Sequence, residues 1–275
     1  MNFSEIENTL ADFFRREKIE YYATLDSCDF AIANERKLPQ STSCAVFFLV
    51  PYYVPEEKKN VSSYAVARDY HLFARELEER LKDALCAFPE IADGVRVFAD
   101  NSPFYEVECA LRARLGVRGK NRLLINEKYG THVFIFSVTS PVPLKIASEN
   151  LTDKTSCASC GKCISACPTG ALCGTGECMS ALTQKKTLTD DEEALVASHT
   201  LVWGCDICQD VCPMNKDEAT PIDFFLKDRT PYLTEEILSS MSDEQFAERA
   251  YSWRKRAVIG RNLALCDKTI ITEKK

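Results

Sequence analysis

The feature that most constrains this chain is the spacing of its cysteines. Cys157, Cys160, Cys163 and Cys167 follow one another as Cys-x2-Cys-x2-Cys-x3-Cys, and Pro168 comes next. Bacterial ferredoxins hold [4Fe–4S] clusters with this run, and in two-cluster ferredoxins its fourth cysteine ligates the other cluster. A zinc site would normally use pairs separated by a longer stretch. The spacing therefore predicts iron–sulfur clusters.

A second copy of the run is incomplete. Cys205, Cys208 and Cys212 precede Pro213, and Val202 stands where the first cysteine would be. The crossover rule assigns the visible ligands as Cys157, Cys160, Cys163 and Cys212 for one cluster, and Cys167, Cys205 and Cys208 for the other. That second cluster lacks one ligand, for which Cys173 and Cys178 are the nearby candidates. We expect Cys178, because it opens a predicted helix, whereas Cys173 lies in a loop flanked by glycines.

Composition and charge limit the partners and the cellular compartment that can be expected for this chain. It has 275 residues, 14 cysteines and a net charge of −7, which argues against a globally basic nucleic-acid binder. No apolar run approaches the ~20 residues of a membrane span, and the N-terminal sequence is amphipathic rather than a signal peptide. We therefore expect a cytoplasmic protein without membrane contact, whose thiols stay reduced.

The hydrophobic periodicity predicts helices mixed with strands, and hence an α+β fold. Helices are expected from Ser4, over residues 63–86, from Pro103 to about Leu115, and over residues 178–186. Strands are expected over residues 44–51, 95–99, 122–126 and 132–138. We predict three domains, at residues 1–146, 147–218 and 219–275, the last one helical.

Several motifs in fixed order resemble the epoxyqueuosine reductase family. They are Tyr64-Ala-Val-Ala-Arg68-Asp69-Tyr70-His71, Asp100-Asn-Ser-Pro103, Leu115-Gly-Val-Arg-Gly119-Lys120, Glu127-Lys-Tyr129-Gly130-Thr, and Gly204-Cys-Asp-Ile-Cys-Gln-Asp-Val-Cys-Pro. The resemblance covers about residues 60 to 265. Ala67, Val107 and Met214 depart from the residues usual in the family, which are Gly, Arg and Trp.

The resemblance implies a fold and a reaction. The fold is an N-terminal α/β, nitroreductase-like domain that binds cobalamin, followed by a ferredoxin-like domain with two [4Fe–4S] clusters and a short helical C-terminus. The reaction is the reduction of epoxyqueuosine in tRNA to queuosine, with electrons from an external low-potential donor. Members usually continue past Leu265 into helical repeats that help to grip tRNA. We therefore expect a short member without them, acting as a monomer.

The resemblance also implies roles for individual residues. Asp100 falls on the family's proton donor, although a helix N-cap before Pro103 is a second reading of that residue. Cobalamin contacts are expected from Arg68, Tyr70, His71, Asp100, Lys120, Leu124 and Tyr129, with no histidine ligand on cobalt. Contacts with tRNA are expected from Thr183, Arg254, Lys255 and Arg261.

Two other functions remain open from the sequence alone. One is a related cobamide and iron–sulfur reductase that acts on a small molecule, for example by dehalogenation. The other is an electron-transfer or corrinoid-activating protein with no substrate of its own.

Overall fold

The computed structural model describes residues 3–154, 156–216 and 218–272, with side chains described up to residue 266. The chain divides into two compact units, and each unit is built from two separate stretches of the sequence. The first unit holds residues 1–52 and 70–159, and the second holds residues 53–69 and 160–275.

The first unit is built on a four-stranded antiparallel sheet with helices. Its helices are α1 (Phe3–Arg16), α2 (Tyr70–Ala84), α3 (Pro89–Gly94) and α4 (Glu106–Arg112). Its strands are β1 (Tyr22–Asp26), β2 (Cys44–Pro51), β3 (Arg96–Ala99), β4 (Val117–Arg118), β5 (Leu124–Ile125) and β6 (Val133–Ser140). The main sheet runs in the order β1-β2-β6-β3, and β4 pairs with β5. The prediction of an α+β fold is therefore confirmed.

Strand β2 is the centre of the first unit. All eight of its residues are buried, and it pairs antiparallel with β1 on one side and β6 on the other. Branched and aromatic side chains suit such a strand, because both faces pack against apolar groups. Helix α1 buries Ile6, Leu10, Phe13 and Phe14 at helical spacing, and full burial of each contributes roughly 1.5–3 kcal/mol. Both elements match the sequence prediction.

Three predicted elements differ from the structure. The helix expected over residues 63–86 begins only at Tyr70, because residues 53–69 belong to the second unit. The helix expected from Pro103 begins at Glu106, since the Pro103 carbonyl instead accepts hydrogen bonds from the backbone amides of Ala33 and Asn34. Strand β1 was not predicted, and the strand expected over residues 122–126 is the two-residue β5.

In the part of the chain that the structure describes, the second unit consists of seven short α-helices and the long helix α12, joined by loops. They are α5 (Lys162–Ala166), α6 (Met179–Gln184), α7 (Asp190–Ala197), α8 (Ile207–Asp210), α9 (Asp223–Leu226), α10 (Glu235–Ser240), α11 (Asp243–Ala247) and α12 (Lys255–Thr272). Its largest core contains Val61, Val202, Trp203, Tyr251 and Ile259, which are all fully or almost fully buried. No helix within the described ranges is long and apolar enough to cross a membrane.

Candidate functional site

Five thiols lie near helix α8 in the second unit. Burial, together with negative charge on Cys205, Cys178, Cys163 and Cys167, raises the pKa of Cys208 to about 12. Burial likewise raises the pKa of Cys205 to about 11, with Cys178 and Cys167 again among the neighbours that add to the shift. In the absence of a metal, neighbouring thiolates disfavour one another's ionisation. A bound metal ion reverses this preference, because a coordinating thiol loses its proton.

A second set of thiols lies around helix α5. The pKa of Cys163 is raised by burial, and Cys212 and Cys160 are the neighbouring thiols whose charges raise it further. Cys212 belongs to the second cysteine run, and Cys167 of the first run lies with Cys205 and Cys208. Thiols of the two runs therefore lie near one another, as crossed ligation of two clusters would require.

Cys157 lies in the first unit, in a polar setting. Burial raises the pKa of its thiol, but hydrogen bonds from the backbone of Ser159 and Lys120 and the positive charge of Lys120 outweigh that effect, so the pKa is lowered. The Lys120 ammonium donates to the Ser159 carbonyl at 3.1 Å. A lowered pKa favours the thiolate, which is the form that binds metal.

The position of Val202 explains why the second run lacks its first cysteine. Val202 is buried in the core, and its amide donates to the Asn60 carbonyl at 2.6 Å. Cys178 precedes α6 and lies beside Cys205 and Cys208. Cys173 is exposed, in a turn bounded by Gly170 and Gly174 with positive φ angles. This placement supports Cys178 as the remaining ligand.

Asp206 anchors the loop that carries Cys205 and Cys208. Its carboxylate is completely buried, and it accepts hydrogen bonds from Lys59 Nζ at 2.6 Å, from the Ser63 amide at 2.8 Å and from the Ser62 hydroxyl. Burial alone would raise the pKa of Asp206, yet Lys59 and the hydroxyl and amide donors hold it below its ordinary value. The buried anion therefore ties the cysteine loop to residues 59–63.

Replacement of Asp206 by Asn should destabilise the second unit by about 3 kcal/mol, because it leaves the Lys59 ammonium without its buried counter-ion. Asp210→Asn is a matched control, since that carboxylate is 55% exposed and lies 3.9 Å from the same ammonium. Its loss should cost less than about 1 kcal/mol. Anaerobic urea unfolding measures both variants, and equal losses would contradict the anchoring role.

Thr183 supports the same loop from the opposite side. Its side chain is fully buried, and its hydroxyl donates to the Ser180 carbonyl and accepts from the Gly204 amide at 2.9 Å. Asn262 on α12 donates to the carbonyls of Thr183 and Val202. The expectation that Thr183 contacts tRNA is not supported by this placement, because the buried hydroxyl is engaged by the backbone.

Asp100 stands on an exposed turn after β3. Its φ of 57° lies in the left-handed region, and the Tyr70 hydroxyl donates to its Oδ2 at 3.1 Å. The Tyr70 ring stacks between His71 and Phe134, with ring centroids 4.3 and 4.4 Å away. The N-cap reading of Asp100 is wrong, because α4 begins six residues later and Tyr105 precedes it. Tyr70, His71 and Asp100, three of the predicted cofactor residues, are thus neighbours.

Glu106 lies beside this group and was not predicted as a site residue. Its Oε1 is buried and has no hydrogen-bond partner within the part of the chain that the structure describes. The pKa of Glu106 is raised to about 7, because burial and the charge of Asp100 outweigh the hydrogen bonds from Ser102 and the Asp100 backbone and the charge of His71. An acid with this pKa near neutrality is a mark of functional sites. The sequence carried no signal of it, because burial depends on the fold.

The other predicted cofactor residues occupy different settings. The side chains of Leu124 and Tyr129 are buried in the core of the first unit, and the Tyr129 hydroxyl donates to Glu20. Lys120 is exposed. Arg68, in the second unit, pairs with Glu248 and lies over the Phe224 ring at 5.0 Å. Leu124 and Tyr129 therefore act in packing, and their side chains are not free for a cofactor.

The predicted tRNA contacts near the start of α12 are partly exposed. The Arg254 guanidinium stacks on the ring of Trp253 at 3.9 Å, and Trp253 is itself 59% exposed. Lys255 is exposed and has a φ of 68°. Arg261 instead donates to the Lys186 carbonyl and to Asn262. Arg254 and Lys255 are therefore the two predicted basic residues best placed to meet a ligand in solution.

Comparison with known proteins agrees with the gathered thiols. Residues 156–215 match the model of the 4Fe-4S double cluster binding domain. An epoxyqueuosine reductase from Cyclobacterium marinum is 36% identical over 198 residues, which are 66% of this chain and 62% of that protein. One from Synechocystis is 31% identical over 256 residues, covering 83% of this chain and 84% of that protein.

A solved structure shares the fold. The crystal structure of an epoxyqueuosine reductase with an epoxyqueuosine-modified tRNA-Tyr stem loop superposes with a TM-score of 0.77 at 23% identity, over 98% of this chain and 82% of that one. The chain spans 62% of the length of the Cyclobacterium and Listeria relatives that it matches.

The fold and the cysteine sets define an iron–sulfur protein of the double-cluster class. Its sequence relationship then identifies the family: the chain belongs to the epoxyqueuosine reductases.

Proposed function

We propose that this protein is an iron–sulfur and cobalamin-dependent reductase that converts epoxyqueuosine in tRNA to queuosine. The observation that carries the proposal is the relationship to the Synechocystis epoxyqueuosine reductase over 84% of that protein's length. The two crossed thiol sets support the electron-transfer half of the proposal, since close [4Fe–4S] clusters relay single electrons. An external low-potential donor would supply those electrons, and we expect a cytoplasmic monomer.

Eight of the 14 cysteines would hold two clusters. We assign Cys157, Cys160, Cys163 and Cys212 to one, and Cys167, Cys178, Cys205 and Cys208 to the other. The contacts among Cys163, Cys160 and Cys212, and those among Cys167, Cys178, Cys205 and Cys208, support this division. Asp206 and Thr183 would hold the Cys205 loop in place through their hydrogen bonds, as outer groups do around a metal centre.

Cobalamin would bind beside Asp100, where three of the residues expected to contact it lie together. Tyr70 and His71 offer stacked rings there, and the Asp100 carboxyl is exposed beside them. When bound, cobalamin would supply the reducing centre for the epoxide carbon. The part of this chain is then to hold a proton at the Asp100 carboxyl and deliver it to the epoxide oxygen as that oxygen leaves. The Tyr70 hydrogen bond orients the carboxyl for this step.

Two binding measurements test the proposal against its alternatives. Titration with cobalamin should change the visible absorbance of the anaerobic protein, and no change would leave only an electron-transfer protein. A tRNA stem loop with epoxyqueuosine should bind more tightly than the same loop with guanosine at that position. An enzyme for a small molecule would bind neither loop selectively.

Arg254 and Lys255 should position tRNA phosphates without reading bases. Alanine at either position should weaken binding of modified and unmodified stem loops alike, and each lost phosphate contact should lower the salt dependence of log Kd by about 1. Lys227→Ala, which removes another exposed lysine of the second unit, is the control. A salt dependence unchanged in both variants would place the tRNA elsewhere.

A further inference from the structure

Glu106 is a half-buried acid that the proposed reaction has not yet used. It begins α4, and its Oε1 is buried with no hydrogen-bond partner among the described residues. An ionised carboxylate in such a place would carry a large desolvation cost, so the side chain is better accommodated as the neutral acid. The site thus contains a carboxyl group that holds a proton away from water.

The chemistry of the proposed reaction calls for one proton more than Asp100 supplies. When an epoxide becomes an alkene, both carbon–oxygen bonds break and a carbon–carbon double bond forms. Two electrons enter from the external donor, and the oxygen leaves as water, which takes two protons. A single carboxylic acid provides one of them and must be protonated again before it can provide the second.

We propose that Glu106 stores the second proton and returns it to Asp100 after Asp100 has protonated the leaving oxygen. This inference rests on the proposed function. Glu106 then acts through Asp100 and does not contact the substrate, so it is a positioning residue and not a catalytic one. Both carboxylates then regain a proton from solvent before the next turnover.

The groups that face Glu106 suit such a transfer. Asp100 approaches from the turn after β3, and its negative charge strengthens the hold of Glu106 on its proton. When Asp100 has lost its own proton, Glu106 is therefore the carboxyl that still holds one. His71 faces Glu106 from α2, and a positive charge there would promote its release. Cys109 on α4 itself is buried close by, and its charge interacts with that of Glu106.

The pH dependence follows from the sign of the shift. The pKa of Glu106 is raised to about 7, so the stored proton is present below neutrality and is lost as the pH rises through 7. We therefore expect kcat of the wild-type enzyme to fall on the alkaline side with an apparent pKa near 7. Glu106→Gln should lower kcat about tenfold or more at pH 6 and abolish this alkaline limb, with KM for tRNA unchanged.

Glu108→Gln is the matched control for the activity measurement. Glu108 lies two residues further along α4, is exposed, and pairs with Arg118. This variant should keep the wild-type kcat and alkaline limb. A Glu106→Gln enzyme with wild-type kcat and an unchanged alkaline limb would overturn the proposal.

Two further readouts need no substrate, so they separate this inference from the proposed function. Carbon-13 NMR of glutamate-labelled protein should show one carboxyl that titrates near pH 7 and disappears in Glu106→Gln. In Asp100→Asn its midpoint should move to lower pH, because the charge that raises it is gone. A Glu106 midpoint near the ordinary 4.5, or no movement in Asp100→Asn, would refute the proposed proton transfer.

Stability gives the second readout. Because the folded pKa of Glu106 is raised, its contribution to stability is fully present at low pH and is lost as the pH rises through 7. The unfolding midpoint of wild type should therefore fall relative to that of Glu106→Gln between pH 5 and pH 8. A constant difference would show that Glu106 does not hold a proton in the folded protein.

Discussion

Replacement of Asp100 by Asn is expected to reduce epoxide turnover at least about 100-fold, because the amide cannot donate a carboxyl proton to the leaving oxygen. The Tyr70 hydroxyl that now donates to Oδ2 can donate to the amide oxygen instead, so the turn should keep its shape. Iron content and cobalamin binding should stay at their wild-type levels. Single-turnover assays with modified tRNA measure the effect.

Asp93→Asn serves as the control for that experiment. Asp93 is exposed, and its backbone carbonyl, which the substitution leaves in place, accepts a hydrogen bond from Arg96. Its loss should leave turnover unchanged. If Asp100→Asn keeps full activity, Asp100 is not the proton donor. If the variant loses cobalamin binding, the role of Asp100 is to contact the cofactor.

The second large effect is expected at Cys178. If this thiol completes the cluster of Cys167, Cys205 and Cys208, then Cys178→Ser should lower iron from eight atoms per chain toward four, since the domain class holds two 4Fe-4S clusters. Turnover should disappear with the lost cluster. Anaerobic iron analysis and electron paramagnetic resonance of the reduced protein distinguish one remaining cluster from two damaged ones.

Cys173→Ser is the matched variant, because it removes the neighbouring thiol from the glycine-flanked turn. It should retain eight iron atoms and full turnover. The opposite result, with iron lost in Cys173→Ser and kept in Cys178→Ser, would exchange the two assignments.

The iron–sulfur domain could be predicted from the sequence because most of its ligands lie close together along the chain. Ligands to a cluster must recur at short, fixed spacings, so the two runs, the crossed pairing and the gap at Val202 are all visible in the chain. The α+β class was also predictable, because the apolar residues of β2 form a continuous run and those of α1 recur at helical spacing. The match to the double-cluster family confirms the cluster prediction.

The features that could not be predicted depend on contacts between residues that are far apart in the sequence. Residues 63–69 have a helical pattern, but they belong to the second unit, where the Ser62 and Ser63 side chains bind Asp206. The raised pKa of Glu106 likewise results from burial and from the charge of Asp100, which the fold brings near it. Thr183, Leu124 and Tyr129 were named through family resemblance alone, and their side chains are buried.

Conversion of the modified tRNA is the most direct test of the proposed reductase. The anaerobic protein, loaded with iron and cobalamin and given a low-potential reductant, is incubated with tRNA that carries epoxyqueuosine. Mass spectrometry of the digested nucleosides should show queuosine accumulating with wild type and not with Asp100→Asn. Recovery of epoxyqueuosine unchanged from a fully loaded wild-type protein would contradict the proposed function.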